Sequence, residues 1–138
     1  MNKYVHYDLT RAWVLQAGFS EDEAEVVAQS DLAVDREHKW RGLRNAKWHI
    51  SSDFSHQLFA EACAEHSLEK FGQSLHVMQD FCTHRYGLKR VLGIPVLDPR
   101  RHFDVWTDPD IPEEIKTSIE QRTRELLREY LCATHESP

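Results

Sequence analysis

The sequence predicts an all-α protein, and three observations support this prediction. Apolar residues recur at three- and four-residue intervals along much of the chain. Helix-start signals precede these segments, among them the capping box Ser20-Glu21-Asp22-Glu23. No segment alternates apolar and polar residues convincingly over the length of a strand. We therefore expect a single compact domain over residues 1–138, with about five helices and two long loops.

The first two predicted helices lie in the N-terminal third of the chain. Apolar side chains four residues apart place the first helix at Lys3–Ala17, and Gly18 is a suitable stop. The second helix starts after Ser20 and runs to about Asp35. Its predicted inward face carries Ala24, Val27, Ala28, Leu32 and Ala33.

Two long segments interrupt the remaining helical pattern. Residues 36–52 lack clean periodicity and are predicted to form a loop or broken helix that carries Trp40, Trp48 and His49. Residues 87–110 contain two glycines and three prolines, and this composition predicts the second long loop. Loops of such length in a compact domain are usually functional or disordered.

Three further helices are predicted around these loops. One covers Phe54 to Ala64, and one follows a Ser67 cap and ends near Tyr86. The last is predicted to start with Asp110 as its N-cap and to run to about Tyr130 or Leu131.

Composition narrows the class of protein. With 41% hydrophobic and 29% charged residues, the chain resembles an ordinary soluble domain. Its net charge of −6 argues against binding nucleic acid mainly by electrostatics, but not against a phosphodiesterase that uses metal ions. The three cysteines form no CxxC motif, no apolar leader begins the chain, and no apolar run reaches about 18 residues. We expect a cytoplasmic protein without a transmembrane segment.

The segment KFGQSLHVMQDFCTH contains the main candidate for a metal site. His76, Asp80 and His84 recur at every fourth residue beside an apolar stripe made by Leu75, Met78, Phe81 and Cys82. Side chains four apart share one helix face, with Cβ atoms about 6 Å apart. His76 and Asp80 could therefore bind one ion, and the second oxygen of Asp80 could bridge to another ion about 3.5–4 Å away. A solvated polar face is the simpler interpretation.

Further candidate ligands lie in the N-terminal half. Asp31 and Asp35 are also four residues apart, and Asp35 ends an apolar stripe just before the first loop. A carboxylate at a helix C-terminus opposes the helix dipole, and a nearby cation would offset that cost. His49 follows in the loop, and His6 adjoins the apolar Val5.

Two segments resemble a known superfamily. LEKFGQSLHVMQDFCTH resembles the core helix of the zinc-dependent phospholipase C and S1/P1 nuclease superfamily, and of short bacterial relatives with the HxxQDFxxH signature. HYDLTRAWVLQAGFSEDEAEVVAQSDLAVD is similar to the start of those relatives, so the resemblance spans roughly residues 5–105. It implies an all-α fold in which up to three zinc ions activate a water that attacks a phosphodiester phosphorus.

The resemblance also implies roles for individual residues. Asp35, His49, His76 and Asp80 would complete one metal site, with Asp80 bridging to a second ion. His6 would belong to the second site, and His84 and His102 match later histidine ligands of the superfamily. Asp80 and His84 are the predicted catalytic residues. Where the superfamily has a glutamate four residues after the later histidine, this chain has Trp106.

The favoured function is a metal-dependent hydrolase of a phosphodiester or phosphate ester, with a small-molecule or lipid substrate. One to three Zn²⁺ ions are expected, and the mixed His and Asp ligands also suit Mn²⁺ or Fe²⁺. The alternative is a non-catalytic, metal-stabilised helical binding protein. An HD-type phosphohydrolase is disfavoured because the chain has no adjacent His-Asp pair, and a helical bundle with surface histidines and no metal stays open. The sequence gives no oligomeric state.

Overall fold

The computed structural model describes residues 3–41, 43–86, 88–91, 94–97 and 112–135, with side chains described through Thr83 and again from Pro112. A π-helical segment, Tyr4–Leu9, continues directly into helix α1, Thr10–Gln16. The other helices are α2 (Glu21–Glu37), α3 (Lys47–Ile50), α4 (Ser52–Glu65), α5 (Leu68–Tyr86) and α6 (Glu113–Thr134). A short antiparallel hairpin, β1 (Leu88–Val91) and β2 (Ile94–Leu97), follows α5. The all-α prediction is confirmed.

The predicted start signals of α2 and α5 are present. The Ser20 hydroxyl accepts a hydrogen bond from the Glu23 amide at 3.1 Å, and the Glu23 carboxylate accepts one from the Ser20 amide at 2.9 Å. The Ser67 hydroxyl accepts from the Lys70 amide at 3.1 Å. Each bond satisfies an amide that the first helical turn leaves without a backbone partner, so local sequence sets where α2 and α5 begin.

The two predicted loops contain more regular structure than expected. Within residues 36–52 the chain forms α3, and α4 begins at Ser52 because the Ser51 hydroxyl accepts from the Phe54 amide at 3.1 Å. Within residues 87–110 the hairpin pairs Leu88 with Leu97 and Arg90 with Pro95. Pro95 has no amide hydrogen to donate, so its presence in the sequence argues against a strand. A proline is nevertheless tolerated at the edge of a two-stranded ribbon, where this hydrogen bond is not needed.

The last helix also differs from its prediction. It begins at Glu113 with Pro112 as N-cap, and it continues to Thr134, beyond the predicted end at Tyr130 or Leu131. The Thr134 hydroxyl donates a hydrogen bond to the Tyr130 carbonyl at 2.8 Å, which extends the final turn. The predicted cap, Asp110, lies outside the described residues.

Helix α5 is the centre of the packing. It contacts α2 and α4 most extensively, and α3 and α6 as well. On α5, Phe71 is fully buried, and its ring stacks on Tyr130 of α6 at 4.4 Å. Four fully buried apolar side chains of the other helices belong to the same cluster as Phe71, namely Val14, Val27, Ile119 and Leu127. Because α5 is enclosed on several sides, its polar residues His76, Gln79 and Asp80 are buried too.

A glycine sets the distance between α2 and α5. A Cβ atom at Gly72 would lie 2.4 Å from the Val27 carbonyl oxygen and 2.8 Å from the Ser30 Cβ. Only a residue without a side chain allows the two helix backbones to come this close. The close approach brings the next turns of the helices together, where α2 carries Asp31 and Asp35 and α5 carries His76.

The π-helical segment turns His6 toward α5. Val5 and His6 are adjacent in sequence, yet both are buried, with exposures of 1% and 0%. The wider π turn lets consecutive side chains face the core, and such turns are frequent at functional sites. The Thr10 hydroxyl donates to the Val5 carbonyl at 2.8 Å and stabilises this turn. Among the residues that the structure describes, no helix is both long enough and apolar enough to cross a membrane.

Candidate metal centre

Four side chains from three helices meet at one point beside α5. They are Asp35 at the end of α2, His49 on α3, and His76 and Asp80 one turn apart on α5. One ligand atom from each lies within 4.8 Å of the others. Both histidines and Asp80 are buried, whereas Asp35 is 32% exposed. Carboxylate and imidazole groups in such an arrangement can hold a metal ion.

The distances suit a single ion. His49 Nδ1 lies 2.8 Å and His76 Nε2 lies 3.0 Å from Asp80 Oδ2. Asp35 Oδ1 lies 3.3 Å from His76 Nε2 and 3.7 Å from His49 Nδ1. Tetrahedral ligands at 2.0–2.1 Å from zinc are about 3.3 Å apart, so the observed separations bracket that value.

The orientation of His76 is fixed by a backbone group on α2. Its Nδ1 hydrogen is donated to the Asp31 carbonyl oxygen over 2.7 Å. In the neutral ring, Nε2 therefore presents a lone pair, and this lone pair faces carboxylate oxygens of Asp35 and Asp80. His76 Nε2 has no hydrogen-bond partner within the described structure. A lone pair facing two carboxylates is repulsive unless a proton or a metal cation lies between them.

His49 is held in the same way by a different backbone carbonyl. Its Nε2 lies 2.7 Å from the His38 carbonyl oxygen, which can only accept a hydrogen bond. That bond places the hydrogen on Nε2 and leaves Nδ1 facing Asp80. Metal-binding histidines commonly donate their other ring nitrogen to a carbonyl, which fixes both tautomer and orientation. Two histidines with this arrangement converge on the same two carboxylates.

A second group of potential ligands adjoins the first and shares His76. It contains His6, Asp31 and His76, all fully buried. His6 Nδ1 lies 2.8 Å from Asp31 Oδ1, and the His6 and His76 rings stack at 4.0 Å. Asp31 Oδ1 has no hydrogen-bond partner among the described residues. Because His76 Nδ1 donates to the Asp31 carbonyl, His76 cannot serve as an ordinary ligand in both groups at once.

Gln79 connects His6 to a buried hydrogen-bond network. Its amide nitrogen donates to the hydroxyls of Thr10 at 2.9 Å and Thr123 at 3.3 Å, so its oxygen faces His6 Nδ1 at 2.9 Å. His6 Nε2 in turn lies 3.1 Å from Asp80 Oδ1. Asp80 therefore directs one oxygen toward His6 and the other toward the four-residue group. This network orients the carboxylate at the centre of the site.

The mutual proximity of these groups shifts their pKa values in opposite directions. Burial alone would raise the pKa of Asp80, but the facing His76 and His6 rings outweigh it and hold that pKa well below its usual range. Burial alone would lower the pKa of His76, but Asp80 and the α2 carboxylates raise it well above its usual value. The pKa of His6 is raised and that of Asp35 lowered, in each case against the effect of burial. The site therefore favours positive charge, from protons or a metal ion, next to its carboxylates.

The structure places several of the predicted ligands together. Those brought into contact are His6, Asp35, His49, His76 and Asp80. His84 lies on α5, but its side chain is outside the described structure, as is the whole of His102. The roles assigned to His84 and His102 stay predictions.

From sequence, Asp31 was noted only for its spacing from Asp35 and was given no role in the metal site, whereas the structure buries it completely. The predicted inward face of α2 included Leu32 and Ala33, which was wrong because both are only half-buried, while Asp31 and Val34 are buried. Asp31 lies four residues after Val27 and three after Ala28, so it continues the apolar stripe. A carboxylate within such a stripe is the signal that could have identified it.

The solvent side of the site is bordered by a cavity and by aromatic rings. A cavity of about 320 Å³ is lined by Asp35, Arg36 and Lys39, together with Gln29, Leu32 and Ala33. Trp40 stacks over His49 at 5.8 Å and is 40% exposed. The half-buried Trp48 stacks on His38 at 3.8 Å. Asp35 thus connects the buried ligands to an open, positively charged border.

Comparison with known proteins returned no match, whether with family models, with curated proteins or with solved structures.

Proposed function

We propose that this chain is a metal-dependent hydrolase that acts on a phosphodiester or phosphate ester at the centre formed by Asp35, His49, His76 and Asp80. One observation carries the proposal: two buried imidazole nitrogens, each oriented by a backbone carbonyl, face the same two carboxylates. Arrangements of this kind are typical of metal ligands with their supporting hydrogen bonds. The resemblance of the α5 sequence to zinc-dependent phospholipases and P1-type nucleases supports the choice of phosphate chemistry.

Zinc is the proposed ion, and manganese or iron(II) are the alternatives. The two nitrogen and two oxygen ligands suit Zn²⁺, but the same donors also bind Mn²⁺ and Fe²⁺. A single ion is proposed because His76 uses its Nδ1 for the Asp31 carbonyl. An ion held by these four residues would supply a water with a pKa of about 7 and would polarise a phosphoryl oxygen.

The protein residues would bind and orient the substrate around that chemistry. Asp35 is the exposed member of the four, so the substrate would approach from its side. Arg36 and Lys39 line the adjoining cavity and would attract an anionic phosphate. His6 and Gln79 would hold the Asp80 carboxylate in place. The predicted catalytic role of Asp80 follows from this position, and that of His84 rests on the resemblance alone.

The proposal is tested by hydrolysis of a chromogenic phosphodiester, bis(p-nitrophenyl) phosphate, after reconstitution with Zn²⁺, Mn²⁺ or Fe²⁺. The parent should be active with one of these ions, and His76→Ala and Asp80→Asn should lose both the ion and the activity. His56→Ala is the matched control, because His56 is exposed on α4 and lines a separate cavity. Full activity in Asp80→Asn, or the absence of turnover with every ion, would contradict the proposal.

A second function is a metal site that only stabilises the fold. The four protein ligands favour it, because structural zinc sites are usually closed by four ligands, whereas catalytic sites keep a position open. Such a site would connect α2, α3 and α5 and would contribute folding free energy. Removal of the ion by a chelator would then lower the melting temperature, while no phosphodiester is hydrolysed. Turnover by the reconstituted protein would exclude this function.

A further inference from the structure

Basic residues are concentrated next to the candidate metal centre. Five of the 17 Lys and Arg residues lie within residues 36–47, where Glu37 is the one acidic residue. The chain as a whole carries a net charge of −6, so this segment differs sharply from the rest of the protein. The five, all exposed, are Arg36, Lys39, Arg41, Arg44 and Lys47. We refer to residues 36–50 as the basic turn.

The basic turn also exposes apolar side chains. Four large apolar residues are exposed in the described part of the chain, and three of them lie here. Leu43 is 96% exposed, and Trp40 and Ile50 are each 40% exposed. Isolated exposed apolar residues are common on soluble proteins, but several together within a basic segment indicate a binding surface.

The backbone places Leu43 at the tip of this surface. Arg41 and Arg44 exchange two backbone hydrogen bonds, of 3.2 and 2.9 Å, so the chain reverses direction between them. Leu43 lies in this tight turn, between the two arginines. At the base of the turn, Trp40 stacks on the candidate ligand His49. The tip is therefore apolar, its sides are cationic, and its base reaches the candidate metal centre.

We propose that the basic turn docks the protein on an anionic phospholipid surface. Leu43, together with the exposed Trp40 and Ile50 of the same segment, would enter the boundary between headgroups and acyl chains, while the basic residues would contact the negative headgroups. Interfacial proteins use this combination of an apolar insertion with surrounding Lys and Arg. The docking itself requires no metal ion, so it goes beyond the proposed function.

The exposed aliphatic residues favour a lipid over a nucleic acid. Proteins that bind single strands stack bases on aromatic rings and follow the backbone with a positively charged groove. Here the most exposed side chain is Leu43, which offers no stacking surface, and Ile50 is also aliphatic. A solvated leucine gains most by transfer to a hydrocarbon environment.

The expected effects can be stated as changes in affinity. Each Lys or Arg close to an anionic membrane contributes about a fivefold increase in affinity. The double variant Arg41→Ala/Arg44→Ala should therefore bind about 25-fold more weakly. Partial burial of Leu43 contributes at least about a tenfold increase, so Leu43→Ser should lose that factor.

The test is co-sedimentation of the full chain with vesicles of phosphatidylcholine containing 30% phosphatidylserine (about one anionic lipid in three), beside vesicles of phosphatidylcholine alone. The parent should bind the anionic vesicles preferentially, with and without a chelator. Val26→Ser and Arg128→Ala are the matched controls, since Val26 is exposed on α2 and Arg128 on α6, and both should bind like the parent. Equal binding to both vesicles, or equal losses in the control variants, would overturn the proposal.

Two parallel measurements separate this inference from the alternatives. Tight binding of a single-stranded oligonucleotide, without binding to anionic vesicles, would overturn the lipid assignment in favour of a nucleic-acid surface. Hydrolysis of the soluble phosphodiester is measured on the same samples. Turnover without vesicle binding overturns the docking surface alone, whereas vesicle binding without turnover supports docking and contradicts the proposed function.

Discussion

Replacing Gly72 by alanine tests whether the close approach of α2 and α5 builds the candidate metal centre. The added Cβ would lie 2.4 Å from the Val27 carbonyl oxygen, whereas ordinary contacts begin at 3.4 Å. The helices must therefore separate by about 1 Å, because the obstructing atom is backbone and cannot rotate away. The alanine also improves helix propensity by about 1 kcal/mol, which opposes a cost of about 1–3 kcal/mol for overpacking.

The separation acts directly on the ligands one turn further along. The distance from His76 Nε2 to Asp35 Oδ1 would grow from 3.3 Å to about 4.3 Å. Two ligand atoms that each lie about 2.1 Å from one ion can be at most about 4.2 Å apart. At the enlarged separation, one ion could no longer bind both His76 Nε2 and Asp35 Oδ1 at that distance. We expect metal affinity to fall by about 100-fold while the helical content is retained.

The assay combines metal titration against a competing chelator with far-UV circular dichroism and thermal melting. Gln73→Ala is the control, because Gln73 is the neighbouring, half-buried position on α5. The reasoning predicts weakened metal binding in Gly72→Ala and unchanged binding in Gln73→Ala. Parent-like metal affinity in Gly72→Ala, with the substitution verified, would refute the role assigned to this contact.

Three further outcomes are expected. His6→Ala should retain the ion but bind it about 10- to 100-fold more weakly, because His6 orients Asp80. Titration against a competing chelator measures this affinity, and complete loss of the ion would show instead that His6 is a ligand. With a chelator present, stability should be lost as pH rises through the raised pKa values of His76 and His6, and also as pH falls through the lowered pKa values of Asp80 and Asp35. Melting temperatures measured from about pH 3 to about pH 9 should therefore be highest between the ordinary pKa values of about 3.9 and 6.5 for these two residue types. A melting temperature that is highest above about pH 7 would contradict this prediction. Ser20→Ala should cost about 1 kcal/mol of unfolding free energy without changing metal affinity, as urea denaturation would report.

Local features of the fold were predictable from sequence because they depend on neighbouring residues. The capping serines Ser20 and Ser67 satisfy amides within their own first turns, so a short motif is enough to identify them. The same holds for His76 and Asp80, whose four-residue spacing places both on one face of α5. The boundaries of α3 and the hairpin were missed, because Pro95 and the mixed composition of residues 36–52 obscure any period.

The long-range arrangement of the site could not be read from spacing. Asp31 and Asp35 are both well placed on α2, and only the crossing with α5 at Gly72 determines that Asp31 is buried and Asp35 half-exposed. The ring nitrogens that face the carboxylates depend on backbone carbonyls of residues distant in sequence, as His76 and Asp31 show. Asp35 and His49 were placed in one site by the resemblance, and the structure brings their ligand atoms to 3.7 Å.

The central claim is that Asp35, His49, His76 and Asp80 hold one metal ion, and elemental analysis of the untagged protein tests it most directly. The parent is measured beside the double variant His76→Ala/Asp80→Ala, with His56→Ala as the control for loss of a histidine outside the site. The account predicts one transition-metal ion per chain in the parent and in the control, and none in the double variant. A parent without metal, or a double variant that retains it, would contradict the claim.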